Sequence, residues 1–104
     1  MYNYDKLPEH MRSAMKEYVE NGTRRGDFLM AILTNNLKES FARADAENLH
    51  AMATWVNFLM WELPSACHGS VQNVKRWIEM GGEAGQARLD AKKRREEREK
   101  ENVE

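Results

Sequence analysis

The chain has a single cysteine, Cys67, so it can form no internal disulfide, and a reducing compartment fits. Proline and glycine are scarce, at 2 and 6 of 104 residues, and β-branched residues are few. Met, Ala, Leu, Glu, Lys and Arg are common instead, a composition that favours helix over strand. There is no excess of either charge. The 16 basic and 17 acidic side chains leave a formal net charge of −1, which argues against a general nucleic-acid binder. MYNYDKLPEH has no apolar core, so no signal peptide is expected at the start. No apolar run is long enough to span a bilayer. These absences predict a soluble, cytoplasmic protein of one domain with a modest core.

The longest apolar run is Asp45 to Leu63, DAENLHAMATWVNFLMWEL. At about 100° per residue, Leu49, Met52, Ala53, Val56, Leu59, Met60 and Leu63 share one face. Ala51, Trp55 and Phe58 widen it until the apolar arc covers roughly 200°. The remaining stripe holds His50, Thr54, Asn57 and Trp61. So wide an arc predicts a central helix with neighbours on several sides. It also poses one question, whether Trp61 is covered or free.

The other helices follow from periodicity and punctuation. Met11, Ala14, Met15, Tyr18 and Val19 mark a helix from Pro8 to Glu20, with Gly22 as its left-handed cap. A second helix begins at Gly26 or Asp27. Phe28, Leu29, Ile32, Leu33 and Leu37 form its expected buried side, extended by Phe41. Asn36 and Ser40 interrupt that side, so the helix either breaks at Asn35-Asn36 or provides these groups with internal partners. Asp45 is the expected N-cap of the central helix, and Ser70 that of a fourth helix carrying Val71, Val74, Trp77 and Ile78. Residues 83–104 hold seven charges of each sign and lack a core face. They read as a charged tail, helical or disordered, outside a helical domain of residues 1–82. The expected fold is all-α, a compact bundle of about four helices.

The pattern LPEHMRSAMKEYVENG, GDFLMAILTNNLKESFARAD, Asn48, W-x-x-F-L-x-x-E-x-P-S, Gly69-Ser70 and Trp77-Ile78 resembles small bacteriophage and prophage proteins of unknown function. It covers residues 7–78. Relatives of that kind carry Asn-Asp where this chain has Asn35-Asn36, and an aromatic where it has His68. The resemblance implies a phage origin, a compact helical fold and no particular reaction.

Candidate chemistry is thin. Cys67 and His68 are adjacent, but no CxxC, HxxxH or HExxH spacing accompanies them, so neither a metal nor a cofactor is expected. Asn36, Ser40, Arg43, Asp45 and Asn48 can form a polar corner between two helices. Arg24-Arg25 lacks P-loop spacing and reads as a solvated loop. A helix-turn-helix would use Gln72, Asn73, Lys75 and Arg76 on the fourth helix, with Ser70 on a phosphate. Trp61, with His50 and Asn57, is the best anchor for a protein partner. The favoured expectation is a non-enzymatic, phage-encoded module that binds a host or phage protein, including a host defence complex. A small DNA-binding regulator using Lys75 and Arg76 is the first alternative. A self-assembling accessory protein is the second.

Overall fold

The computed structural model describes residues 2–101; Met1 and the tail positions 102–104, Val103 among them, lie outside it. Among the described residues the chain is all-helical, as its composition predicts. It forms seven α-helices rather than about four: α1 (Glu9–Asn21), α2 (Asp27–Leu33), α3 (Leu37–Arg43), α4 (Ala46–His50), α5 (Met52–Trp61), α6 (Val71–Met80) and α7 (Gly82–Glu101). Short 3-10 turns occur at Tyr4–Lys6 and Ser65–Cys67.

Two of the extra helices come from breaks inside expected ones. The second helix stops at Thr34, whose Oγ1 donates to the Met30 carbonyl at 2.8 Å. Asn35 then takes φ +64°, a conformation Asn tolerates better than most residues. The Asn36 N–H returns to the Ala31 carbonyl at 2.9 Å, and its side chain caps α3 by accepting from the Glu39 N–H. Ser40, buried, donates to the Asn36 carbonyl at 2.6 Å. Both polar interruptions are therefore spent on the break itself.

The third expected helix divides at Ala51 (φ −95°, ψ 10°) into α4 and α5. Hydrogen bonds still pass through this residue, from Ala51 N–H to Glu47 and from Trp55 N–H to Ala51. Asp45 caps α4 as predicted, accepting from the Asn48 N–H at 2.8 Å. Ser70 likewise caps α6, and Gly22 ends α1 in the left-handed conformation.

The helix whose apolar side chains are all buried is α2, not the Asp45–Leu63 stretch. Phe28, Leu29, Met30, Ala31, Ile32 and Leu33 are all buried. A helix that is apolar all round has no face to give to water. Around it pack Met15, Tyr18 and Val19 of α1, Met52, Trp55, Phe58 and Leu59 of α5, and Val74 and Trp77 of α6. Phe28 meets Trp55 edge to face at 5.4 Å. Tyr18 donates to the Cys67 carbonyl at 2.6 Å, and the Trp77 indole donates to the Tyr18 carbonyl at 3.1 Å. Leu37 and Phe41, expected on the buried side, are exposed because the break at Asn35 re-aims α3.

The charged segment is a continuous helix, α7, that leaves the body and makes the molecule 63 Å long against 25 and 20 Å across. Its first turn belongs to the body. Gly82 and Gly85 are buried, and Glu83 accepts from the Tyr2 hydroxyl at 2.9 Å. Beyond Ala91 every described residue is exposed. Truncation after Ala91 should therefore shift the thermal midpoint by no more than about 4 °C, since exposed positions contribute only tenths of a kcal/mol. Calorimetry of the shortened chain checks this, and a much larger fall would mean that the distal helix packs.

Candidate interaction surface

The sequence-predicted apolar face of α4–α5 is real, but only part of it is buried. The core takes the edge formed by Met52, Trp55, Phe58, Leu59 and Leu63. Leu49, Ala53, Val56 and Met60, expected at the centre of the buried face, are exposed, Met60 to 58%. The physical reason is that α2, itself apolar all round, occupies the core position this helix was expected to hold. A 200° arc cannot be covered from one side.

The adjoining stripe is open too. Trp61 is 76% exposed, and His50 and Asn57 are exposed beside it. A recess of about 260 Å³ runs between Trp61, Asn57, Thr54 and the N-terminal arm at Lys6. The arm is pinned there by Glu62, which accepts from the Asn3 N–H at 3.2 Å and lies 3.0 Å from the Lys6 ammonium. On the other flank, Leu37 of α3 is 67% exposed. It lines a cleft of about 180 Å³ with Val56, Met60 and His68. No match to this chain appears among protein families, curated proteins or solved structures. The surface combines large apolar side chains, a tryptophan at the edge and a polar rim, residue types that are enriched where proteins meet.

The remaining candidates are dispersed. Asn36, Arg43 and Lys75 do meet, on the walls of a groove of about 650 Å³ between α2–α3 and α6. Its floor is Met30, Ala31, Val74 and Ile78. Arg43 is engaged there, with its Nε 3.2 Å from Glu39 and an Nη 3.4 Å from Asp27. Asp45 lies elsewhere, 2.7 Å from His10. Its carboxyl is held below the usual range, first by the Asn48 N–H and then by His10. The expected polar corner thus resolves into separate caps and pairs. The sequence signalled the Asp45 cap and, through i, i+4 spacing, the Glu39–Arg43 pair, but not the pairs Arg43–Asp27 and His10–Asp45 that link separate helices.

On α6, Lys75 stands 4.0 Å from Glu79, and Arg76 donates to the Asn73 side chain at 2.8 Å. Asn73 is itself committed to the His68 carbonyl at 2.9 Å, and Ser70 to its own helix. Cys67 is fully buried, and that burial pushes its thiol up to about 12, where no nucleophilic thiolate forms at neutral pH. His68 is half-buried, with its pKa lowered by the same desolvation. Among the described residues no three His, Cys, Asp or Glu side chains gather as a metal site, and no helix is long and apolar enough to cross a membrane.

Proposed function

We propose that this chain is a small non-enzymatic protein-interaction module that docks through the outer face of α4–α5. One observation carries the reading: Leu49, Val56, Met60 and Trp61 stay exposed on one side of a helix whose other side is core. Leaving such side chains in water forgoes about 1.5–3 kcal/mol each, and contiguous patches of this kind mark binding sites. The resemblance to phage proteins supplies the proposed setting. There, in the host cytoplasm, the partner is a protein of host or phage origin whose process the module modulates, a host defence complex being one such target.

The test compares affinity-tagged wild type with a Val56→Glu/Met60→Glu double variant expressed in the same infected cells. Wild type should retain a protein at stoichiometric level, and the variant should lose it while keeping its helical circular dichroism, because both positions are exposed. Equal retention by the two would place the docking surface elsewhere.

A further inference from the structure

We propose that the projecting part of α7 is a second interaction surface, a basic belt that enters the major groove of duplex DNA and pairs with its phosphates. This goes beyond docking through α4–α5 and uses none of the same residues. The belt is Lys92, Lys93, Arg94 and Arg95. All four are exposed, and from Gln86 to Glu101 only Ala91 is partly covered. The net charge of −1 conceals the belt, because the charges of α7 are sorted along its length. From Arg88 to Arg95 five cations stand against Asp90 alone. From Glu96 to Glu101 four glutamates outnumber Arg98 and Lys100. The helix thus carries a basic belt and an acidic tip.

Consecutive residues on a helix, at about 100° each, point in different directions around its axis. Lys92 and Arg94 therefore stand on nearly opposite sides, as do Lys93 and Arg95. A flat partner, whether a membrane or the face of a protein, touches one side of such a helix and leaves the other cations in water. A partner with anions on both sides of the helix uses them all. The major groove of B-DNA is such a partner: phosphates line both walls, it is about 12 Å wide, and a helix with its side chains is about 10–12 Å across. The belt begins about 9 Å along the axis beyond Gln86, where the exposed part of α7 starts, so the body leaves room for the groove walls. Because α7 is helical through Glu101, the cations are held in place before binding.

What α7 lacks argues against other polyanions. Leu89 is the one large apolar side chain between Gly82 and Glu101, so no apolar face can enter a bilayer. No aromatic residue in that span can stack on unpaired bases. Duplex RNA has a major groove too deep and narrow for side chains to read. The acidic tip is repelled by phosphates and must project past the groove wall. Contact is then confined to the belt, about 6 Å of helix carrying one cation for each of about four phosphates. Pairing of this kind positions the protein on the duplex without reading its sequence.

The experiment is a titration of a short, fluorescently labelled DNA duplex with the full chain, read by anisotropy over a salt series. Wild type should bind, and its log affinity should fall against log salt with a slope of about −3 to −4, the value for four phosphate pairs. Lys92→Gln, Lys93→Gln, Arg94→Gln and Arg95→Gln combined in the full chain should lower the affinity at low salt by about a hundredfold or more and flatten the slope. Its circular dichroism should not change, because the positions are exposed and Gln is a good helix former. Lys75→Gln/Arg76→Gln on α6 is the control and should bind as wild type does. Glu96→Gln/Glu97→Gln/Glu99→Gln should bind several-fold tighter, because the repulsive tip is neutralised. No binding at low salt overturns the proposal, and so does a belt variant that binds as wild type does. Equal affinity for duplex RNA overturns insertion into the groove. Equal affinity for vesicles of anionic lipid overturns the duplex and assigns the belt to a membrane surface.

Discussion

Trp55→Ala is expected to lower stability by about 3–5 kcal/mol, the usual cost of emptying a large aromatic site in a core. Trp55 is fully buried, and its ring stands edge to face against Phe28 of α2. Its indole N–H donates to the Asn48 side chain at 3.2 Å, and Asn48 is buried as well. Truncation therefore leaves a cavity and a stranded amide oxygen, which adds about 1–3 kcal/mol. A domain of this size holds only about 5–15 kcal/mol in total. The variant should thus unfold at least about 15 °C earlier, and its urea midpoint should fall with little change in slope. Trp61→Ala, six residues away on the same helix, should change the stability by no more than about 0.5 kcal/mol, because an exposed ring has little to lose. Urea titrations of the two variants side by side check the assignment. Similar losses in both would mean that Trp61 is covered by something within the chain.

That contrast shows where the sequence was legible and where it was not. Helix ends were readable because each depends on one local group: Gly22 in its left-handed cap, and Asp45 and Ser70 accepting from N–H groups three residues on. The faces of α1 and α6 were readable because each has a single apolar stripe. Met15, Tyr18, Val19, Val74 and Trp77 are buried where periodicity puts them, and only Val71, in the first turn of α6, departs from its stripe at 65% exposed. The α4–α5 face was not readable in the same way. Hydropathy measures a preference for leaving water and does not say whether the chain itself or another molecule removes it. Trp55 and Phe58 satisfy that preference internally, and Val56 and Met60 do not. The second helix failed for a different reason. A single positive φ at Asn35 rotates everything after it, so Leu37 and Phe41 lose the phase that ties them to Leu33. Asn36 was visible as an anomaly, but its role as a cap needed the break to be known first.

The close approach of α1 to α7 was also invisible, and it sets the second large effect. Gly82→Ala is expected to cost about 3–5 kcal/mol, combining a left-handed backbone penalty with a clash that cannot relax. Gly82 has φ +66°. A Cβ there would lie 2.5 Å from the Gly22 nitrogen and 2.7 Å from the Asn21 nitrogen, both backbone atoms. A Cβ on Gly22 would in turn lie 2.8 Å from the Gly82 nitrogen and from the Trp77 carbonyl oxygen. Two glycines thus let the ends of α1 and α6 and the start of α7 meet backbone to backbone. No side-chain rotation can make room, so the junction must open, and the Tyr2–Glu83 hydrogen bond should be lost with it. Gly26→Ala is the control. Gly26 also has positive φ, at +40°, but nothing lies within 4 Å of its Cβ position. It should lose only the conformational part, about 1–2 kcal/mol. Denaturant titration of the two variants isolates the contact term as their difference. Hydrogen exchange at amides 83–88 should accelerate in Gly82→Ala and not in Gly26→Ala. Equal stability losses with unchanged exchange would mean that α7 is held to the body by something other than this glycine contact.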